Sequence, residues 1–358
     1  MDAPLRVGLI YGGLSPEHDI SILSARNVRD ALVEAGHTVV PLRIDRAGTW
    51  RVEDGGDALD RDAPTGDALL FPGEAAGRLL RQRADGSLDA VALDVAFPVL
   101  HGPNGEDGRV QGLLQTLRIP FVGPDALASA VCMDKDVAKR LLKEAGVPVA
   151  PSVTVRAADR DGTTFEALAE ALGVPFFVKP ANSGSSVGVT RVADAAGLAE
   201  AFDLAFRYDR KVLVEEGIVG REIEVAVLGN EAPEAAGPGE IVSTTAFYDY
   251  DSKYTDPEAS RMEVPADLPA DTAEQIRETA VRAYGVLGCE GLARVDFFLA
   301  DDGRVLLNEV NTIPGFTARS MYPVMWEHAG LGAPALADRL VRLALARHRR
   351  DAALETAR

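Results

Sequence analysis

Cysteine is scarce in this 358-residue chain: Cys132 and Cys289 are the only two. They sit far apart in apolar stretches, which excludes a disulfide framework and a cysteine-based zinc site and leaves two buried free thiols as the expectation, with a single disulfide as the alternative. Positive charge is also outnumbered, with 37 Lys and Arg against 55 Asp and Glu and a formal charge of −18. Such a surface repels nucleic acid and anionic lipid, so an anionic ligand needs a local cationic pocket working against the overall field. No apolar run reaches the roughly 18 residues of a membrane-spanning helix. The N-terminus enters the strand-like Val7–Ile10 without a basic segment and an apolar core, so no signal peptide is expected and a cytoplasmic protein is. With 47% apolar and 26% charged residues, extensive disorder is excluded. At roughly 100–200 residues per domain the length suggests two or three domains.

What is present alternates between strand and helix patterns. The expected strands of the first third are Val7–Tyr11, Thr38–Ile44, Val91–Leu100 and Ile119–Val122, with a helix from His18 to Ala35 carrying Ile20, Leu23, Val28, Ala31 and Leu32 at helical spacing. Strands separated by helices imply parallel βαβ units. Residues 51–66, polar and rich in Gly and Asp, read as a surface insertion, and the first unit ends near Gly123-Pro124. Helices are expected over Asp134–Ala145, Thr164–Leu172, Thr272–Leu287 and Ala333–Arg349. Further strands are expected over Phe176–Lys179, Val212–Glu215 and Glu222–Leu228, and over Ala293–Leu299 and Val305–Asn311, joined through the turn signal Asp301-Asp302-Gly303. Residues 246–263 lack clear periodicity, as a functional or a disordered stretch does.

Three places carry chemistry. On the expected hairpin, Glu309 and Asn311 share a strand face, and Asp296 on the partner strand falls nearly opposite Glu309. Two carboxylates and an amide oxygen suit Mg²⁺, with Mn²⁺ as a substitute, rather than zinc. Arg294 shares the parity of Asp296. The competing reading is a solvated polar face, against which stand the apolar Val295, Phe297 and Leu299 on the other side. Lys179, at a strand end, precedes the small-residue loop Pro180–Gly188, which offers a cation and backbone N–H groups to phosphate but is not a Walker A loop. Lys135 at a helix start is a second phosphate candidate or an ordinary surface lysine. Glu17 follows the first strand without a dinucleotide fingerprint; it either meets a cationic group or sits as an acid at a helix N-terminus. His101, after another strand, is a ligand contact or a loop histidine.

In register along the chain, GGLSPEHDIS, HGPNGEDGRVQGLLQ, MDKDVAKRLLKEAGVPVAP, VKPANSGSSVG, VLVEEGIVGREIEVAVLG, FYDYDSKY, ARVDFF and NEVNTIPGFTARSMYP resemble the D-alanine–D-alanine ligases of the ATP-grasp superfamily, from Val7 to about Leu345. The resemblance implies an α/β, three-domain ATP-grasp architecture: an N-terminal parallel-sheet domain (1–123) that binds substrate, a central domain (124–215) and a C-terminal domain (216–358), with ATP between the last two and a lid over about 246–263. It implies that Lys135 and Lys179 bind ATP phosphates under a loop containing Ser185 and Ser186. Glu215, Glu216, Ile218, Glu222 and Asn308 would complete the ATP site, Glu216 at a hinge position where some relatives carry lysine. Asp296, Glu309 and Asn311 would hold two Mg²⁺ ions. Glu17 would receive the ammonium of the first D-alanine through contacts to Ser185 and Tyr254, near His101. Arg294 and the backbone N–H of Gly315 would form the oxyanion site, and Lys253, Ser320 and Met321 would receive the second substrate. The implied activity is ATP-dependent joining of two D-alanines through a D-alanyl phosphate, for peptidoglycan precursors, by a cytoplasmic homodimer that binds neither nucleic acid nor membrane.

Two alternative activities fit the same residues. One is a D-alanine–D-lactate ligase, against which Tyr254 argues because lactate-using relatives typically replace that segment. The other is a nucleotide-binding ATP-grasp protein without turnover, whose mark would be loss of Arg294 or of a metal ligand; all are present.

Overall fold

The computed structural model describes residues 3–55, 58–61, 64–71, 79–243 and 260–355. Its first unit contains β1 (Arg6–Gly12), α1 (His18–Glu34), β2 (Thr38–Ile44), β3 (Trp50–Val52), β4 (Asp67–Leu70), β5 (Leu79–Gln82), β6 (Leu88–Val91) and β7 (Val95–Val99). The sheet order is β6-β5-β4-β3-β2-β1-β7. The expected parallel core is there, as β2-β1-β7. The remaining strands add an antiparallel meander. Of the expected surface insertion at 51–66, only Arg51 and Val52 lie in a strand, and Val52 and Leu59 are buried; the unexpected strands flank it, with Trp50 edge-on against Phe71 at 5.1 Å. Short strands with few apolar residues carry little period-2 signal, so they read as loop.

Two other expectations change. The stretch Val91–Leu100 is split, with β6 ending at Val91 and β7 starting at Val95, because Asp94 between them turns to bind Arg6 at 2.8 Å. Residues Ile119–Val122 form no strand but a single parallel bridge from Phe121 to Ala96, since Pro120 has no N–H to extend a ladder.

Next come α2 (Arg109–Thr116), α3 (Ala126–Met133) and α4 (Lys135–Glu144). Asp134 caps α4 by accepting from the Val137 N–H at 3.1 Å. A four-stranded antiparallel sheet, order β10-β9-β11-β8, is built from β8 (Ser152–Arg156), β9 (Phe176–Pro180), β10 (Thr190–Val192) and β11 (Lys211–Glu216). It is backed by α5 (Phe165–Leu172) and α6 (Ala195–Ala205), which share a core with its buried valines.

The third sheet, order β14-β13-β12-β15-β16, comprises β12 (Gly220–Gly229), β13 (Glu234–Ser243), β14 (Ser260–Glu263), β15 (Gly291–Ala300) and β16 (Val305–Asn311). The end of the expected irregular segment is thus strand β14, while 244–259 lie outside the described residues. Helix α7 (Ala270–Val286) covers one face through Ile276, Ala280, Ala283 and Tyr284. Cys132 and Cys289 are free buried thiols with sulfurs 3.6 Å apart.

The chain ends with α8 (Met321–His328) and α9 (Ala333–Ala352). These two return to the first unit: Leu336, Leu340 and Val341 of α9 and Met325 of α8 share one core with Val28 and Leu32 of α1 and with Val7 and Leu9 of β1. Arg347 of α9 is buried, donates to the Phe121 carbonyl at 2.8 Å and to that of Gly123, and lies over the Phe121 ring at 4.5 Å. None of the described helices is long and apolar enough to cross a membrane. Replacing Arg347 with Leu strands two buried carbonyls and is expected to cost roughly 2–4 kcal/mol of stability; denaturant unfolding measures it, and a loss below about 1 kcal/mol contradicts this account.

Candidate active site

The β15–β16 register pairs Asp296 with Glu309 and Arg294 with Asn311, and a bulge follows Asp296. Arg294 grips Asp296 with two bonds, Nε to Oδ1 at 2.8 Å and Nη2 to Oδ2 at 2.7 Å. Asn311 donates to Asp296 Oδ2 at 2.8 Å. On the neighbouring strand, Glu224 stands opposite Asp296 and lies 3.1 Å from Arg294 Nε. Burial works against the Arg294 charge, but Asp296 and Glu224 more than offset it and raise its pKa further.

This cluster faces cations from the other units. Lys135, the first residue of α4, places Nζ 3.1 Å from Glu309 Oε2 and donates to the Ser183 carbonyl at 2.7 Å. Lys179, near the end of β9, bonds Glu215 Oε2 at 2.6 Å and Asn308 Oδ1 at 3.4 Å. One helical turn beyond Lys135, the buried Lys139 pairs with the other Glu215 oxygen and donates to the Ala150 carbonyl at 3.1 Å. Burial lowers the Lys139 pKa to about 8 despite Glu215. Burial pushes Glu215 the other way, yet Lys179 and Lys139 hold it below the usual carboxylate range.

On the opposite wall, Glu17 makes no helix-capping bond with its side chain; its carboxylate accepts from the Ser185 hydroxyl. Ser185 and Ser186 both adopt left-handed backbone, with φ of +50° and +57°. Two consecutive L-residues there store strain that the surrounding contacts must hold. Gly102 (φ +75°) lies so near Glu17 that a Cβ would meet Oε2 at 2.6 Å. Its N–H donates to Glu106 Oε2 at 2.6 Å. Loss of water around Glu106, reinforced by Glu17, lifts its pKa to about 8. Buried His101 is shifted down by burial, against the pull of Glu17.

Between these walls lies a cavity of about 1170 Å³. It brings together Glu17, His101, Ser185, Glu222, Arg294, Asp296, Asn308, Glu309, Asn311, Gly315, Ser320 and Met321. Lys135 and Lys179 stand behind its wall, touching Glu309 and Asn308. Ser186 sits in the same loop, Glu216 pairs with Arg304 at 3.0 Å, and Ile218 is half-buried just beyond β11. Lys253 and Tyr254 lie outside the described residues.

Asp296, Glu309 and Asn311 offer hard oxygen donors alone, and that donor set fits Mg²⁺ or Mn²⁺. Among the described residues no group of three or more His, Cys, Asp or Glu side chains is placed to hold a metal; this cluster has two carboxylates and an amide.

Sequence reasoning missed Glu106, Lys139 and Glu224. Each had a signal: Glu106 lies in the same run as His101, Lys139 is four residues after Lys135 on a helix, and Glu224 shares the strand face of Glu222. Glu106 has a measurable consequence. Its folded pKa of about 8 exceeds the unfolded value, so the native state binds the extra proton. Its contribution is full below the unfolded pKa and lost as pH rises toward 8. Relative to wild type, Glu106→Gln should gain thermal stability from pH 5 to 8 and then level off; parallel melting profiles would contradict the assignment.

Comparison with known proteins follows the same lines. A family model described as the D-ala D-ala ligase N-terminus matches residues 6–124, and one described as the D-ala D-ala ligase C-terminus matches residues 141–342. The chain is 48% identical over 363 residues to D-alanine–D-alanine ligase A of Salmonella typhimurium, covering 99% of each. Among solved structures it resembles the D-alanine–D-alanine ligase from Coxiella burnetii (TM-score 0.87, 37% identity, 98% of this chain and 97% of that one). It also resembles the VanG D-Ala:D-Ser ligase from Enterococcus faecalis (TM-score 0.84, 35% identity, 96% and 100%).

Proposed function

The chain belongs to the D-alanine–D-alanine ligase family, and we propose from that premise and from the cavity's geometry that it joins two D-alanines to D-alanyl-D-alanine using ATP, for peptidoglycan precursors. The observation that carries the reading is the meeting of Arg294 and the Asp296–Glu309–Asn311 face with Lys135 and Lys179, while the Glu17–Ser185 pair stands across the cavity.

A carboxylate is a poor acyl donor, so its oxygen first takes the γ-phosphoryl group of ATP, forming an acyl phosphate and ADP. That transfer needs alignment and charge neutralisation more than covalent help. Lys135 and Lys179 supply cations to the phosphates, and Glu215 with Lys139 braces Lys179 in place. The segment from Glu215 through Glu216 to Ile218, with Glu222 and Asn308, receives the rest of the nucleotide. Asp296, Glu309 and Asn311 would hold Mg²⁺, which when bound neutralises phosphate charge.

Glu17 accepts the ammonium of the first D-alanine near His101, and Ser185 keeps that carboxylate oriented. Ser186 belongs to the loop that closes over the phosphates. Ser320 and Met321, with Lys253, receive the second D-alanine. Its amine attacks the acyl phosphate carbonyl, and the developing oxyanion meets Arg294 and the Gly315 N–H. Phosphate then leaves and the amine proton passes to solvent or phosphate. Water must be kept out, since the acyl phosphate hydrolyses; the part of the expected lid that precedes β14, with Tyr254, is assigned to that cover. ATP as substrate places the reaction in the cytoplasm, and a homodimer is the expected assembly.

Purified protein offered ATP with each alanine enantiomer separately should release phosphate and form dipeptide with D-alanine only. Equal phosphate release with L-alanine, or none with either, would sink the reading. Arg294→Ala should lower kcat by roughly 10²–10³ while calorimetric nucleotide affinity stays within about threefold. Near-normal dipeptide formation by that variant would refute the role given to Arg294.

A further inference from the structure

The loop 312–317, which carries Gly315, has no regular secondary structure, so no helix or sheet ladder fixes its geometry. The Thr317 N–H donates to Ser320 Oγ at 3.0 Å, and the main-chain groups on either side of Gly315 are held by side chains of the first unit. The Phe316 N–H donates to Ser24 Oγ at 3.3 Å, and the Phe316 carbonyl accepts from Asn27 Nδ2 at 2.9 Å. Ser24 and Asn27 are three apart on α1 and therefore share a face. On the near side of Gly315, the Ile313 carbonyl faces His101 Nδ1 at 3.1 Å, while His101 Nε2 lies 3.1 Å from Ser24 Oγ.

One proton arrangement satisfies all of these with a neutral imidazole. The Ile313 carbonyl can only accept, so Nδ1 carries the proton and Nε2 accepts from the Ser24 hydroxyl. The same oxygen then accepts from Phe316. Burial, which lowers the His101 pKa, favours that neutral form. The result is a closed path of hydrogen bonds that grips the loop one residue after Gly315 and two before it. The Phe316 ring is buried against Phe97 of β7, which adds an apolar seat.

We propose that Ser24 and Asn27 are positioning residues for acyl transfer: they act from the first unit, without touching substrate, to aim the Gly315 N–H at the developing oxyanion. This rests on the functional reading above. It separates the two half-reactions. Phosphoryl transfer is governed by Lys135, Lys179 and the hairpin acids, which neither residue contacts. A shifted Gly315 N–H slows amine attack, and the waiting acyl phosphate then reacts with water to return D-alanine and inorganic phosphate.

The test measures phosphate released and dipeptide formed in the same reaction, for Asn27→Leu and Ser24→Ala, with thermal unfolding in parallel. We expect KM for ATP within about twofold of wild type, dipeptide kcat lowered at least about tenfold, and the phosphate-to-dipeptide ratio raised from one to two or more, since small misplacements of reacting groups carry large rate losses. A ratio that stays at one in both variants overturns the proposal, whether kcat is unchanged or falls together with the melting temperature, as a purely structural role would give. If one variant does not fold, the other decides. Wild-type protein that makes no dipeptide from D-alanine overturns the functional reading itself and this proposal with it.

Discussion

Opposite charges meeting across the gap between helix α4 and the β15–β16 hairpin are what the rest of this molecule is arranged around. Lys135 reaches Glu309, Lys179 reaches Asn308, and Glu215 ties Lys179 to Lys139 behind them. Burying such groups carries a desolvation penalty that good geometry must offset. The bonding here is dense: each Glu215 oxygen has an ammonium partner, and Arg294 holds Asp296 with two parallel bonds. In a chain of net charge −18, these few cations are also what makes a polyanionic substrate welcome.

The same arrangement explains why three sheets are needed. Each lysine stands on or beside the second sheet with Glu215, the acids Glu224, Asp296 and Glu309 stand on the third, and Glu17 stands at the start of α1, which follows the first sheet's strand β1. The core shared by α1, α8 and α9 fixes the first unit against the third, and buried Arg347 adds a polar tie to Phe121 and Gly123. Rigid seams around a polar cavity are what a reaction governed by alignment demands. Two consecutive strained residues, Ser185 and Ser186, stand on one wall of the cavity, and their left-handed backbone is held in part by Ser185 reaching Glu17.

Strong periodicity was readable and weak periodicity was not. Helix α1, with apolar residues at helical spacing, and the β15–β16 hairpin, with its alternation and its Asp301–Gly303 turn, lie close to where the residues place them. The strands β3 to β6 do not announce themselves, because three or four residues with at most one buried side chain leave too short a pattern. Pro120 lies in an apolar run with strand character although it cannot extend a ladder.

Sequence by itself determined the chemistry on each element: the parity that puts Arg294 beside Asp296, the pairing of Asp296 with Glu309, and the motifs that carry the family resemblance. Those follow from local geometry, since side chains alternate along strands and recur every three or four residues along helices. The tertiary structure alone decided which distant groups meet. That Lys139 neutralises Glu215, that Glu106 is driven toward its protonated form beside Glu17, and that Ser24 and Asn27 hold the loop at Gly315 depend on packing between units far apart in the chain. Burial and long-range electrostatics arise only when those units close on one another, and no local pattern encodes them.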